Sequence, residues 1–288
     1  MWIADQWKEY ELIDASDGER LERWGRFVLI RPDPQVIWKK EKKDPLWKHA
    51  DARYDRSSTG GGHWEDNDLP LSWTLNYKDL RFMLKPMGFK HTGLFPEQAS
   101  NWDWFGELIK NSSGPVKVLN LFAYTGGATM ACAAAGASVV HVDASRGMVE
   151  QAKENARLSG LEDRPIRYIV DDCMKFVERE GRRGNFYDGI IMDPPSYGRG
   201  PNKEVWKLED CVDELVKKSA ALLSPNPLFF LINSYTTGLS PLTMQYLLDL
   251  HVKSRFGGKL EAGELALPVK STGGLLPCGA SSRWSRGI

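Results

Sequence analysis

The segment Asp193–Tyr197, which reads Asp-Pro-Pro-Ser-Tyr, combines residue types that could present a planar substrate to a reaction. It directly follows the apolar run 190–192, so the two prolines would come at the end of a buried strand. Consecutive prolines stiffen the backbone and remove two N–H donors, while their carbonyls can accept hydrogen bonds from an amino-bearing ring. An aromatic side chain two residues later could stack on that ring. The candidate catalytic residues are Asp193, Pro194, Pro195 and Tyr197.

A second candidate is the loop that follows an earlier apolar run and contains Gly126 and Gly127. Two glycines at a strand-to-helix turn allow the backbone to approach a ligand closely. A tight turn without a ligand is an equally good interpretation of the loop taken alone. The spacing is not GxGxxG, which disfavours a dinucleotide pyrophosphate site and therefore a nicotinamide-dependent oxidoreductase.

Acidic residues end the next two predicted strands. A carboxylate in the position of Asp143 could accept both hydroxyl groups of a ribose. Its alternative role is to cap the next helix, for which Ser145 competes. Asp172, which follows Asp171, could accept a hydrogen bond from an adenine amino group or could cap the helix after it.

Helices and strands alternate between these motifs, which indicates a mostly parallel α/β sheet with right-handed crossovers. A closing antiparallel hairpin is predicted from residues 260–268 and 275–282. The predicted strands are 116–122, 138–143, 166–170, 188–192 and 228–232, and the predicted helices are 98–110, 129–135 and 147–159.

The first hundred residues have a different pattern. Short β-type runs at 26–31 and 35–38, a flexible loop at 57–62 and a hairpin at 73–84 predict a small antiparallel β-rich module. Seven of the 11 tryptophans lie between Trp2 and Trp73. We expect most of them in the core or at a domain interface. The predicted domains are 1–96 and 97–288.

The bulk composition excludes some classes of protein. The 288 residues carry 38 Lys and Arg against 38 Asp and Glu, which argues against a strongly basic nucleic-acid coat. Four cysteines without a CxxC pair disfavour a zinc site or a redox dithiol. The chain has no signal-peptide pattern and no apolar stretch of membrane length. We therefore expect a cytoplasmic protein with reduced thiols, no bound metal and no membrane contact.

Taken together, the motifs resemble those of class I S-adenosylmethionine-dependent methyltransferases. More narrowly, the chain is similar to bacterial large-subunit rRNA methyltransferases of the RlmI/RlmK type. The motifs appear in order, and the resemblance also includes the upstream segment His91–Gln98. It implies a Rossmann-like methyltransferase sheet, S-adenosyl-L-methionine as the cofactor and RNA, by resemblance rRNA, as the substrate.

The resemblance also implies roles for individual residues. The loop Asn120–Gly127 would cradle the methionine end of the cofactor, Asp143 would bind the ribose, and Asp172 would bind the adenine. Residues 193–197 would face the methyl acceptor. The candidate cofactor-binding residues are Gln98, Asn120, Phe122, Tyr124, Thr125, Gly126, Gly127, Asp143, Ser145, Asp172 and Cys173.

Two departures from the family pattern bear on the acceptor. The first 70 residues do not resemble the RNA-binding PUA module that many relatives carry. Relatives that methylate cytosine at carbon 5 have a nucleophilic cysteine just after the fifth strand, where this chain has Ser234 and Thr236 instead. A hydroxyl is a poor substitute for a thiolate, so transfer to a nitrogen of the base is favoured.

Other acceptors and other functions stay open at the level of sequence. A protein or a small molecule could be methylated instead of RNA, and a non-catalytic module could retain the cofactor pocket. Arg199, Lys203, Lys207 and the lysine-rich segment 39–48 could contact phosphates. The alternative for segment 39–48 is a solvated face, since Glu41 and Asp44 interrupt it.

Overall fold

The computed structural model describes residues 1–57, 61–65, 69–88, 90–199, 205–236 and 239–287. Two compact units divide the chain. The first unit consists of Met1–Trp2, Asn101–Leu265 and Gly279–Ile288, and the second of Ile3–Ser100 and Ala266–Cys278. The division into domains 1–96 and 97–288 stays a prediction.

The strands in chain order are β1 (Trp2–Ile3), β2 (Tyr10–Ser16), β3 (Glu19–Trp24), β4 (Phe27–Pro32), β5 (Ala52–Arg56), β6 (Gly62–Trp64), β7 (Trp73–Tyr77), β8 (Leu80–Leu84), β9 (Lys117–Leu121), β10 (Ser138–Asp143), β11 (Ile166–Val170), β12 (Gly189–Met192), β13 (Tyr197–Arg199), β14 (Val205–Lys207), β15 (Phe229–Ser234), β16 (Lys259–Pro268) and β17 (Leu275–Ser285). The α-helices are α1 (Ala99–Lys110), α2 (Gly127–Ala134), α3 (Arg146–Leu158), α4 (Cys173–Arg183), α5 (Leu208–Ala220), α6 (Pro241–Leu248) and α7 (Ser254–Phe256). Short 3₁₀ turns span Pro45–Trp47 and Pro96–Gln98, and a π-turn spans Asp249–Lys253.

The main sheet has eight strands in the order β1-β16-β17-β15-β12-β9-β10-β11. Strands β15, β12, β9, β10 and β11 pair in parallel, and β17 pairs antiparallel with β15. The predicted mostly parallel α/β sheet with a C-terminal antiparallel hairpin is confirmed. The chain runs outward from β9 in one direction to β11 and then returns to β12 on its other side. This reversal creates a crevice at the carboxyl ends of β9 and β12, where open α/β sheets bind ligands.

Burial explains why the central strands have continuous apolar sequences. All four residues of β12 and all six of β15 are buried, as expected for strands covered on both faces by helices. The core of the first unit joins these strands to the flanking helices through residues such as Leu119, Val142, Phe176, Leu215 and Phe230.

The second unit contains a five-stranded sheet in the order β2-β3-β4-β5-β6 and the separate hairpin β7-β8. The predicted hairpin is confirmed, with Thr74 opposite Met83. The predicted antiparallel character is wrong for one pair, because β4 and β5 are parallel. Strands β2 and β3 were not predicted, because no alternating pattern in the sequence indicates them.

The predicted strand at residues 35–38 is also wrong. The carbonyls of Val36 and Trp38 accept hydrogen bonds from Gly18 and Asp17 at the turn between β2 and β3. The segment is therefore held by a turn and joins none of the described strand ladders. Three of the residues in the predicted flexible loop, 58–60, lie outside the described residues.

Candidate functional site

The loop after β9 has an unusual backbone. The φ angle alternates in sign from Phe122 (54°) through Tyr124 (52°) to Gly126 (86°). A left-handed conformation costs a non-glycine residue about 1–2 kcal/mol, so the surroundings must hold this loop in place. Alternating backbone conformations of this kind form concave arrangements of N–H groups that suit an anion.

Two side chains hold the loop, that of Asp143 at the end of β10 and that of Cys173 at the start of α4. The Asp143 carboxylate accepts hydrogen bonds from the Tyr124 N–H and the Ser145 N–H, each at 2.8 Å. The Phe122 N–H donates to the sulfur of Cys173 at 3.3 Å. Burial raises the pKa of the Cys173 thiol far above its usual value, so this sulfur is an uncharged structural acceptor.

Asp143 keeps acceptor capacity for a ligand. An ionised carboxylate offers about four lone-pair sites, and the two backbone N–H groups use two of them. Burial raises the pKa of Asp143, while the bonds from Ser145 and Tyr124 act in the opposite direction. The side chain is only partly buried. Its remaining lone pairs could accept the two hydroxyl groups of a ribose, and this contact stays a prediction.

The helix after the loop completes this arrangement. Gly126 is the N-cap of α2, and the first N–H groups of any helix have no intrahelical acceptor. A helix N-terminus also favours negative charge. These groups fit the carboxylate at the methionine end of S-adenosylmethionine, together with a ribose at Asp143.

Gly127 is required for a reason that the sequence does not show. A Cβ atom at Gly127 would lie 2.6 Å from the Cζ2 atom of the buried Trp102 ring in α1. The absence of a side chain at Gly127 therefore allows α1 to pack against the loop Asn120–Gly127, which we call the cofactor loop. The same absence leaves room for a ligand. Gly126 is also crowded, since its Cβ would lie 3.0 Å from the Ala152 Cβ.

Gly127→Ala is expected to destabilise the protein by about 1–3 kcal/mol, the usual cost of overpacking, and to weaken S-adenosylmethionine binding. Urea unfolding and calorimetric titration would measure the two effects. Gly106→Ala is the matched control, because a Cβ there meets nothing within 4 Å and alanine favours a helix interior. Equal stability of Gly127→Ala and the wild type would contradict the packing argument.

Asn120 and Thr125 are buried, and their hydrogen bonds stabilise the loop. The Asn120 amide donates to the Thr129 hydroxyl at 2.9 Å, which in turn lies 2.9 Å from Nδ1 of His141. The Asn155 amide donates to the Thr125 carbonyl at 2.8 Å. Thr129 and His141 were not predicted, because a buried polar pair on two elements leaves no local sequence signal.

The remaining predicted cofactor residues have varied surroundings. Asp172 caps α4, with its carboxylate accepting the Lys175 N–H at 2.9 Å, so the capping alternative is realised. Ser145 is exposed at the N-cap of α3 and makes no side-chain bond to the described first turn of that helix. Gln98 is buried in the second unit, where its N–H donates to the Phe95 carbonyl. The predicted contacts of these residues with the cofactor stay predictions.

The acceptor segment 193–197 follows β12, next to the cofactor loop after β9. Its start is attached to β9 by the Asp193 N–H, which lies 3.4 Å from the Leu121 carbonyl. Pro194 is buried, Pro195 is exposed, and the Tyr197 side chain is 52% exposed. The structure thus brings the predicted catalytic residues to the crevice beside the loop.

The Pro195 carbonyl already has a donor. The indole N–H of Trp206 on β14 donates to it at 2.6 Å, a contact that the sequence analysis missed. A carbonyl oxygen has two lone pairs, so that of Pro195 keeps one for a substrate, and the expected contact with an amino-bearing ring stays a prediction. Trp206 lies eleven positions further on, and only the pairing of β13 with β14 brings it back.

The lysine-rich segment 39–48 is not a free positive patch. Four of its lysines lie next to acidic side chains, in the pairs Lys39–Asp17, Lys40–Asp14, Lys42–Glu19 and Lys43–Glu41. This pairing favours the solvated-face alternative over phosphate contact. Lys203, another predicted phosphate contact, lies outside the described residues.

Within the described residues, no group of three or more His, Cys, Asp or Glu side chains is arranged to hold a metal ion. No helix in the described part of the chain is long and apolar enough to cross a membrane.

Comparison with known proteins agrees with this geometry. The model of the S-adenosylmethionine-dependent methyltransferase family matches residues 46–242. A solved structure of a SAM-dependent methyltransferase from Agrobacterium tumefaciens is 37% identical, with a TM-score of 0.93 over 99% of this chain and 93% of that one. The fold of this chain is therefore the Rossmann-like methyltransferase fold that the motifs implied.

Two curated relatives carry the name ribosomal RNA large subunit methyltransferase K/L. The protein from Shewanella frigidimarina is 33% identical over 51% of this chain, and that from Allochromatium vinosum is 32% identical over 59%. The chain spans about a fifth of the length of these relatives, 20% and 21% respectively. The family match over more than half of the chain is independent of that partial overlap. This chain belongs to the family of S-adenosylmethionine-dependent methyltransferases.

Proposed function

We propose that this methyltransferase transfers the methyl group to a nitrogen of an RNA base, with rRNA as the substrate. The observation that carries the proposal is the pairing of Tyr197 with Lys207 across β13 and β14. Both side chains are exposed beside the acceptor segment. An aromatic ring next to a cation suits an unstacked base and its phosphate. The names of the K/L relatives support the choice of rRNA.

Methyl transfer to nitrogen needs no covalent intermediate between the protein and the base. S-adenosylmethionine supplies a methyl group on a sulfonium, which leaves as a neutral thioether when a nitrogen lone pair attacks the methyl carbon. The residues must therefore bind the base, align its nitrogen and exclude competing orientations. The Pro194 carbonyl is the proposed acceptor for an amino group of the base, because that of Pro195 already accepts one hydrogen bond from Trp206. The Asp193 carboxylate is the proposed acceptor of the proton that the nitrogen loses.

A carbon-5 mechanism is not supported. It needs a thiolate, and the loop after β15 has none, as the sequence indicated. Burial raises the pKa of Cys173 strongly, and its sulfur is occupied by the Phe122 N–H. Ser196 and Thr236 share a hydrogen bond at 2.6 Å between their hydroxyl oxygens, which favours a structural role for both.

The direct test is mass-spectrometric nucleoside analysis of RNA from cells with and without the protein. A methylated base that disappears with the protein, and whose methyl group lies on nitrogen, is the expected result. Label transferred from tritiated S-adenosylmethionine to protein and not to RNA would contradict the RNA acceptor. A cytoplasmic location is part of the same proposal.

Tyr197→Ala is expected to lower the efficiency of methyl transfer to RNA by about 5- to 150-fold, since stacking on one base contributes about 1–3 kcal/mol. Affinity for S-adenosylmethionine should stay within about twofold of the wild type, because Asp143 and the cofactor loop are untouched. Steady-state kinetics and calorimetry would separate these effects. Tyr246→Ala, at a tyrosine that is 65% exposed on α6, is the matched control. A loss confined to cofactor binding would reject the stacking role.

A further inference from the structure

Trp206 contacts the acceptor segment through its side chain and pairs through its backbone with the residue that follows that segment. It lies opposite Gly198 in the β13–β14 pair, directly after the acceptor segment. Its indole N–H donates to the Pro195 carbonyl at 2.6 Å. A Cβ atom at Gly198 would lie 3.7 Å from the Trp206 Cβ and 3.9 Å from the Pro195 Cγ, so these three residues pack closely.

The other side of the indole faces the cofactor loop. The rings of Trp206 and Phe122 have centroids 5.4 Å apart and are tilted by 51°, a favourable arrangement for two aromatic rings. Phe122 is the first left-handed residue of that loop, and its N–H is held by Cys173. One side chain therefore contacts both the cofactor loop and the acceptor segment.

The Asp193 N–H, 3.4 Å from the Leu121 carbonyl, also links the start of the acceptor segment to the cofactor loop, whereas two bonds of Ser196 lead to other elements. The Leu208 N–H donates to the Ser196 carbonyl at 3.1 Å and attaches the segment to the start of α5. The Ser196 hydroxyl is bonded to that of Thr236, in the loop after β15. These bonds fix the far end of the segment, whereas Trp206 connects it to Phe122.

We propose that Trp206 is a positioning residue for methyl transfer. It fixes the distance between the acceptor segment and the cofactor loop, and its N–H takes up one of the two lone pairs of the Pro195 carbonyl, which favours the Pro194 carbonyl as the partner of the acceptor base. Methyl transfer needs the nitrogen and the methyl carbon in close, aligned contact, so a small displacement of the segment slows the step. The inference rests on the proposed function, because it assigns a role within the same acceptor site.

The test is Trp206→Phe, which removes the indole N–H and keeps an aromatic ring next to Phe122. Single-turnover transfer from tritiated S-adenosylmethionine would be measured on rRNA purified from cells that lack the protein. We expect the rate at saturating concentrations to fall about tenfold, the effect of one hydrogen bond, with cofactor affinity within about twofold of the wild type. Thermal unfolding of the variant would verify that it is folded.

Trp38→Phe is the matched control. The indole N–H of Trp38 also donates to a backbone carbonyl, that of Ala15, at 2.9 Å, and both residues belong to the second unit. We expect this variant to transfer methyl groups at the wild-type rate. A comparable loss in Trp38→Phe would show that the effect of losing an indole bond is general, and would overturn the inference.

Two further results would contradict the role of Trp206. One is a wild-type rate in folded Trp206→Phe, and the other is a loss of cofactor affinity with an unchanged rate at saturation. Failure of the proposed function looks different, because the wild type itself would then leave rRNA unlabelled. In that case the same pair of variants is compared on the protein or small-molecule fraction that the wild type does label.

Discussion

Replacing Asp143 by alanine is expected to weaken S-adenosylmethionine binding by about 5- to 150-fold, which corresponds to about 1–3 kcal/mol for bonds to a charged group. The carboxylate has two tasks in the structure. It accepts the Tyr124 and Ser145 N–H groups, and its remaining lone pairs fit a ribose. Alanine would remove both, so the ligand would lose a partner and the loop would lose a support.

Calorimetric titration with S-adenosylmethionine measures the effect, and Asp188→Ala is a matched control. Asp188 also accepts a backbone N–H, that of Lys117 at 2.9 Å, and a hydroxyl, that of Ser224 at 2.7 Å. It lies before β12, at the opposite end of the sheet from Asp143. The control variant should lose stability and keep cofactor affinity. Unchanged affinity in Asp143→Ala would contradict the assignment to the ribose.

The parallel sheet could be predicted because its strands have simple sequence patterns. Ile190–Met192 and Phe229–Ile232 are apolar without interruption, as is typical of strands buried on both faces, and Val118–Leu121 is interrupted only by Asn120. Glycines or polar residues then end each element. Gly184, for example, ends α4 in a left-handed conformation with a φ of 67° that only glycine adopts readily.

The strands of the second unit were harder to predict from the sequence, because they bury charged residues. Strand β3 reads Glu-Arg-Leu-Glu-Arg-Trp, yet Glu22 within it is fully buried. Arg31 of β4 donates to Glu22 at 2.6 Å, and Tyr10 of β2 donates to it at 2.7 Å. Burial alone would raise the pKa of Glu22, but Arg20 and Arg31 hold it at about 2. Paired charges of this kind look exposed in a sequence pattern.

The candidate site likewise contains residues that the sequence predicted and residues that only the structure reveals. Asp143, the paired glycines and residues 193–197 stand at strand ends, so the order of strands and helices predicted their common location. Trp206 and Trp102 reach the site only through the β13–β14 pair and the packing of α1. Such contacts depend on tertiary structure, and neither tryptophan has a local signal that distinguishes it from the other nine.

His141 is expected to make the protein sensitive to acid. It is fully buried on β10, and burial lowers its pKa to about 3 from the usual 6.5. The Thr129 hydroxyl accepts from Asn120, so its own proton is available for Nδ1 of a neutral His141. The proton of the imidazole is then on Nε2, for which the described residues offer no hydrogen-bond partner.

The sign of the effect follows from the two pKa values. Between about pH 6.5 and pH 3 the unfolded chain binds a proton at this histidine and the folded chain does not, so the free energy of unfolding falls as the pH falls. The stabilisation is complete above pH 6.5, and its loss below has a slope of up to about 1.4 kcal/mol per pH unit. His91, whose pKa burial lowers to about 4, adds to the same trend.

Urea unfolding from pH 7.5 to pH 4.5 would measure this slope in the wild type and in His141→Asn. The asparagine carbonyl can accept a hydrogen bond from the Thr129 hydroxyl in place of Nδ1, and asparagine does not titrate. The slope of the unfolding free energy against pH should therefore be smaller in the variant, by the contribution of up to one proton, whatever its stability at neutral pH. An identical slope in His141→Asn and the wild type would mean that His141 takes up its proton in the folded state.

Because His141 supports Asn120 through Thr129, acid should disturb strand β9 together with β10. Protection of the fold by S-adenosylmethionine should then weaken over the same pH range.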